Sequence, residues 1–263
     1  MRERPRNSAT QPGLARQIIL LTPFLTAEWK YLAMLNWAVD PALLAHLMPA
    51  GTELDQFEGK TYVSLVGFRF LRTRVRGLWV PCHSDFDEVN LRFYVRRVHE
   101  GDVRRGVVFV REIVPRWAVA KVAQRFFHEN YVALPMEHRL MEPASEGGRL
   151  SAEYRWMGGA TASSLRVECE GKPSRAADGS LEQFITEHYW GYSAVPGGGS
   201  LEYQVEHVRW RVWHATAARF QGDVEWLYGP QLAKCLAREH DSAFLADGSA
   251  VSVFPARRLR GRS

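Results

Sequence analysis

The segment Phe86-Asp87-Glu88-Val89-Asn90-Leu91-Arg92-Phe93-Tyr94-Val95-Arg96 alternates without a break. Val89, Leu91, Phe93 and Val95 project to one side of an extended chain, and Glu88, Asn90, Arg92, Tyr94 and Arg96 project to the other. A polar face of this kind is ordinarily the solvated side of a sheet. Two details leave a second reading open. Asn is a poor strand former, and Glu88 and Arg92 are near enough on one face to interact. In a closed or cone-shaped sheet that face lines a cavity, where a carboxylate and a guanidinium orient a polar ligand.

Strands extend on both sides of this segment. Upstream, Trp29–Val39 is dense in large apolar residues and reads as a buried strand. Asp40-Pro41 then caps a short helix, Pro41–Leu47, which Pro49 ends. Thr61–Phe70 is apolar on both faces, as in the middle of a sheet. Downstream, Val107–Val114 is a further apolar strand, and Trp117–Phe127 has helical spacing. Tyr131–Leu140, Arg149–Trp156, Ser163–Glu170, Leu201–His207 and Trp210–Phe220 return to strand patterns. Ser180 opens a helix as its capping residue. Val224–Arg238 is the last helix, interrupted at Gly229-Pro230. Asp247-Gly248 predicts a tight turn between Ala243–Leu245 and Ala250–Phe254. About ten strands, three or four short helices and no βαβ rhythm specify one α+β domain dominated by antiparallel β-structure.

The composition agrees. The chain has 263 residues, 46% hydrophobic and 24% charged, so it can bury a core and is not a disordered or disulfide-stapled chain. Its net charge of +5 is unevenly placed: residues 1–17 carry +3 and residues 256–263 carry +4, which leaves −2 for residues 18–255. The basic pI of 9.2 therefore belongs to the ends and does not specify a nucleic-acid surface. We expect residues 1–20 and 256–263 to be disordered basic tails around a single domain at 21–255. Ile18–Leu21 is too short for a membrane span or a signal-peptide core. Cys82, Cys169 and Cys235 are odd in number and far apart, which suits a reducing cytoplasm.

Motifs of established chemistry are missing from the sequence. It has no GxGxxG, P-loop or GxSxG, and its nine histidines form neither HExxH nor HxH. No metal and no cofactor are expected. Cys82-His83 places a thiol beside an imidazole, but neighbouring residues in an extended chain point apart. Tyr189-Trp190-Gly191-Tyr192 reads as core and corner packing more readily than as a base-stacking platform.

Several segments together resemble the YqjF-like family of bacterial proteins. They are Trp29-Lys30-Tyr31-Leu32 leading to Val39-Asp40-Pro41, Pro49 with Gly51 and Leu54-Asp55, Tyr62–Phe68, Phe86–Arg96, Gly106–Phe109, and the helix running into Glu129-Asn130-Tyr131. That family is similar in fold to acetoacetate decarboxylase. The resemblance implies an acetoacetate-decarboxylase-like, cone-shaped antiparallel β-barrel with a few short helices and a buried polar pocket.

The decarboxylase works through a lysine Schiff base. Carried over residue by residue, the resemblance puts Lys30 at the position of an arginine, Glu88 at that of an internal-strand glutamate and Arg125 at that of a helix arginine. Tyr131 falls where the nucleophilic lysine belongs and Val132 where its lysine partner belongs. A phenol and an isopropyl group cannot condense with a ketone, and Lys121 lies two turns earlier on the helix. Schiff-base catalysis is therefore not expected.

The expectation is a cavity that binds a small, oxygen-rich carboxylate or keto compound. Glu88 and Tyr131 are its acid–base candidates, and Lys30, Asn90, Arg92 and Arg125 its ligand-binding residues. A non-catalytic binding or sensing module is the alternative, so whether the protein is an enzyme stays open. The expected partner is a small molecule, not nucleic acid or membrane, and self-association is compatible with the sequence.

Overall fold

In the computed structural model, residues 22–259 apart from 144, 146 and 160 are described. The first expected tail, residues 1–20, lies outside them.

The described fold begins with β1 (Leu25–Val39), after which the Asp40 side chain accepts the Ala42 amide at 2.8 Å and caps the 3-10 turn Pro41–Leu43. A second, uncapped 3-10 turn, Ala45–Leu47, follows, so the helix expected over Pro41–Leu47 is two short turns. A short β2 (Glu53–Leu54) leads to β3 (Thr61–Val75), β4 (Leu78–Trp79), β5 (Phe86–His99) and β6 (Asp102–Val114). Helix α1 (Trp117–Phe127) ends at His128 in the left-handed conformation, followed by β7 (Tyr131–Ala133) and β8 (Met136–Met141). The strand expected over Tyr131–Leu140 is thus two strands, divided by Leu134-Pro135. Then come β9 (Leu150–Gly158), β10 (Thr161–Cys169), β11 (Ser174–Arg175), α2 (Leu181–Thr186) and β12 (Trp190–Ala194). The Ser180 hydroxyl accepts the Gln183 amide at 3.2 Å and starts α2. The chain finishes with β13 (Ser200–His207), β14 (Arg211–Gln221), α3 (Glu225–Leu236), β15 (Ser242–Val253) and β16 (Arg257–Leu259).

Pairing is almost wholly antiparallel, in the order β16-β13-β12-β6-β5-β3-β1-β15-β14-β10-β9-β8. A short pairing of Val205–His207 with Val251–Val253 joins β13 to β15 and closes seven of these strands into a ring. Of the remaining strands, β14, β10, β9 and β8 leave the ring as a flange, and β16 pairs with β13 at the other end of the order. The mostly antiparallel α+β fold stands, and the closed cone is reduced to a ring shut by three residue pairs.

Because the flange covers one side of β5, that strand is buried on both faces from Phe86 to Val95. Val89, Leu91, Phe93 and Val95 meet Trp37, Val63, Leu65, Trp156 and Leu165, with Leu232 and Leu236 of α3. On the other side Tyr94 joins Val66, Phe68, Val107 and Phe184. Glu88, Asn90 and Arg92 share this second side and are buried with it, so the polar alternation of β5 does not face bulk solvent.

Two expectations are corrected. Asp247-Gly248 is not a turn: both residues lie within continuous β15, and Gly248 opposes Lys30 of β1. There β1 carries a bulge at Tyr31, with φ of 56°, while Gly248 has φ of 73°. Asp-Gly suits a hairpin because glycine reaches positive φ, and a kinked strand uses the same freedom. The expected C-terminal tail is also partly structured. Arg257–Leu259 pair with Ser200–Glu202, and Arg257 joins Arg97 and Arg104 around the buried Glu202 carboxylate. Among the described residues no helix is long and apolar enough to cross a membrane.

Candidate functional site

The second side of β5 opens onto a recess of about 230 Å³. Strand register builds its polar end. Asn90 of β5 is paired with Glu112 of β6, and Glu112 with Tyr131 of β7, so three side chains form a row across three strands. Gln124 of α1 donates to the Tyr131 carbonyl at 2.8 Å, and Asn130 donates to the Val110 carbonyl at 2.9 Å. These bonds hold the turn between α1 and β7 against the sheet.

Glu88 is the hub of this end. Its carboxylate accepts from the Asn90 amide at 2.9 Å through one oxygen and from the Tyr131 hydroxyl at 3.0 Å through the other. Arg92, one pleat beyond Asn90, donates to the Ile185 carbonyl at 3.3 Å, and its Nε has no partner among the described residues. Asn90 Oδ1 and Glu112 Oε2 are buried and unpartnered in the same way. Groups of this kind are costly unless something satisfies them.

Two further carboxyl groups line the recess, Glu112 and Glu129, the latter accepting from the Tyr203 hydroxyl at 2.9 Å. Burial pushes all three acids upward: Glu88 to about 7, Glu129 to about 8, and Glu112 well above its usual range. Hydrogen bonds from Asn90 and Tyr131 and the charge of Arg92 favour the ionised form of Glu88. The Glu88 charge works against ionising Glu129, and both neighbouring acids work against ionising Glu112. Of the three acids Glu88, facing Arg92, is therefore the one most readily ionised, and its charge favours the protonated forms of Glu112 and Glu129. Tyr131 is held well above its ordinary value, by burial first and then by Glu112 and Glu88, and remains a proton donor.

Histidine supplies another polar wall. His188 Nε2 lies 3.2 Å from Asp55 Oδ2, which also accepts from Arg105 at 2.6 Å. Burial lowers His188 to about 4, so the ring is neutral, donates through Nε2, and leaves Nδ1 buried without a partner among the described residues. His207 stacks on Trp210 at 4.2 Å, and burial lowers it to about 4 as well.

The recess thus gathers Glu88, Asn90, Arg92 and Tyr131. It does not gather Lys30 or Arg125. Lys30 follows Trp29, whose ring forms part of the wall, and the period of two turns the lysine away. Arg125 is exposed on α1, its guanidinium over the Phe126 ring at 6.0 Å, where the ion keeps its hydration. Sequence reasoning missed Glu112, Glu129, His188 and Asp55. Glu112 had a weak signal, an acid beside Arg111 within the apolar half of β6. Glu129 stands two residues before Tyr131, in the turn that carries the family resemblance. Among the described residues no lysine lines the recess.

A family model for DUF2071, described as an uncharacterized conserved protein, matches residues 26–250. The chain belongs to the DUF2071 family. This DUF2071 chain is 27% identical over 192 residues to "Uncharacterized protein YqjF" of Bacillus subtilis, covering 72% of the chain and 75% of that protein. Its fold is similar to an acetoacetate decarboxylase-like enzyme from Sphingomonas wittichii, with TM-score 0.63, 14% identity and coverage of 97% and 100%. Acetoacetate decarboxylase from Legionella pneumophila follows at TM-score 0.62, 11% identity and coverage of 98% and 92%. The enduracididine biosynthesis enzyme MppR, in a structure complexed with pyruvate, has TM-score 0.64, 13% identity and coverage of 94% and 95%. These likenesses establish the acetoacetate-decarboxylase-like fold of the DUF2071 chain.

Proposed function

We propose that the recess binds a small compound bearing a carbonyl and a carboxylate, and that Glu88 and Tyr131 perform acid–base chemistry on it without a lysine Schiff base. The observation that carries this reading is the convergence of Glu88, Asn90, Arg92 and Tyr131 in one largely apolar recess, where Glu112, Glu129 and His188 also stand. Arg92 offers the cation for the ligand carboxylate. The Tyr131 hydroxyl donates to the carbonyl oxygen in place of Glu88. Glu88, poised near neutrality, removes a proton from the carbon beside the carbonyl. The C–H bond breaks, the proton moves to Glu88, and the electron pair passes through the new C=C bond to the oxygen, giving an enolate or enol. Return of the proton to carbon completes a tautomerisation. The similarly folded MppR has been crystallised with pyruvate, and α-keto acids are the class carried over from it.

The three cysteines are free, which supports a reducing cytoplasm. The composition of the body supports a small-molecule partner over nucleic acid or membrane.

Exchange of the pyruvate methyl protons for deuterium, followed by NMR, tests the chemistry. Wild-type protein is expected to accelerate exchange, and Glu88→Gln to bind pyruvate but lose the acceleration by about 100-fold or more. Arg92→Gln is expected to weaken binding by roughly 30-fold, on the order of 2 kcal/mol. Binding without exchange by the wild type would establish the non-catalytic module instead. Borohydride added with pyruvate is expected to leave every lysine unmodified, and a trapped lysine adduct would sink the no-Schiff-base reading.

A further inference from the structure

Among the described residues, the exposed large apolar side chains Leu78, Trp79, Val80, Trp117, Val122 and Phe126 lie in two segments that each contribute to the recess. Val80 and Val122 line the recess itself. The Phe126 ring lies 5.1 Å from that of Phe24, another lining residue, so Val80, Val122 and Phe126 continue the apolar wall outward as a rim.

The polar row runs along β5 from Arg92 through Asn90 to Glu88, which pairs with Phe68. The next row, Phe86, Phe70 and Trp29, continues the lining in apolar form. A compact keto acid held by Arg92, Asn90 and Glu88 would leave that aromatic row, and the exposed Val80 and Val122, unfilled. Large apolar groups left in water around a concavity mark a surface that takes an apolar partner.

We infer that the ligand is an amphiphile: a keto-acid head at Glu88, Asn90, Arg92 and Tyr131, with a long acyl or aryl tail that runs along the aromatic wall and emerges between α1 and the Leu78–Val80 segment. This rests on the proposed function for the head and adds the substrate class. The occupant of the rim is the tail, because wall and rim are one surface and the wall leads to the polar end.

The test is titration calorimetry of the full chain with pyruvate, α-ketobutyrate, α-ketooctanoate and α-ketododecanoate. Affinity is expected to rise roughly two- to fourfold per added methylene. The double variant Val80→Ser/Val122→Ser, at two exposed positions that line the recess, is expected to cut the ratio of dodecanoate to pyruvate affinity by about 10-fold or more. Val98→Ser/Val103→Ser, at the far end of the β5–β6 hairpin, should leave that ratio as in the wild type. Pyruvate binding with a flat chain-length series overturns the tail and spares the proposed function. Failure of every keto acid to bind overturns both. A flat series with sedimentation on phosphatidylcholine vesicles that depends on Trp79 and Trp117 would assign the rim to a membrane surface, against the inference.

Discussion

Glu129→Gln is expected to stabilise the protein at about pH 9 and to leave it nearly unchanged at about pH 4. The native carboxyl of Glu129 is raised to about 8 by burial, while the unfolded side chain titrates near its ordinary value of 4.5. Below the unfolded value both states hold the proton, and glutamine replaces a neutral acid of the same shape. As pH rises, the unfolded chain releases its proton freely while the native chain keeps it up to about 8. The wild type accordingly loses stability across that window, and above it the native fold contains a buried charge. Glutamine has no proton to lose, and its amide oxygen still accepts from Tyr203. Every tenfold difference in proton affinity between the native and unfolded carboxyl corresponds to about 1.4 kcal/mol. Sharing of charge within the cluster reduces the total, so a gain on the order of 2–4 kcal/mol is expected at about pH 9. Urea unfolding of both proteins at the two pH values measures it. Equal differences at both would mean that Glu129 is not held protonated.

Gly248→Ala should be among the most damaging single changes in the sheet. A Cβ on Gly248 would stand 2.0 Å from the Trp29 carbonyl oxygen and 2.7 Å from its carbon, and those are backbone atoms that no rotamer change can move. The φ of 73° adds the left-handed penalty of about 1–2 kcal/mol for a side chain. Relief requires β1 and β15 to part at the bulge, for a total of about 4 kcal/mol, or a fall in Tm of roughly 10 °C. Gly197→Ala is the control: its φ is 84°, with nothing within 4 Å of the added carbon, and about 1 kcal/mol is expected. Thermal melts of the two variants compare them directly, and similar losses would show that the close approach at Trp29 is not rigid. Since Trp29 lines the recess, Gly248→Ala is also expected to weaken whatever the recess binds.

Local patterns carried much of the fold. Asp40 and Ser180 cap the elements they precede, because capping needs only a side-chain oxygen and amides two or three residues away. The strict period of two in Phe86–Arg96 marked β5 and grouped Glu88, Asn90 and Arg92 on one side. The same pattern could not say that both sides are buried, since alternation is equally compatible with a solvated face. That depended on the flange strands β9 and β10 covering Val89, Leu91 and Phe93.

Asp247-Gly248 shows the opposite limit. The dipeptide specifies a positive φ, but whether that φ reverses the chain or kinks a strand depends on the partner, here the bulge at Tyr31. The misplaced cations share this cause. Lys30 and Arg125 follow from position along a family pattern, and one residue of strand or a fraction of a helical turn separates a wall from solvent.

By itself, then, the sequence determined the strand-rich α+β character, the caps, and the polar row on β5, because each is a matter of chain stereochemistry over a few residues. Only the tertiary structure decided the charge state of the site. Glu112 of β6 and the turn that carries Glu129 and Tyr131 are remote in sequence from Glu88, and the β5–β6–β7 register with the packing of that turn puts them beside it. Exclusion of water by the surrounding walls, a property of no single segment, is what lets two of the three acids keep their protons.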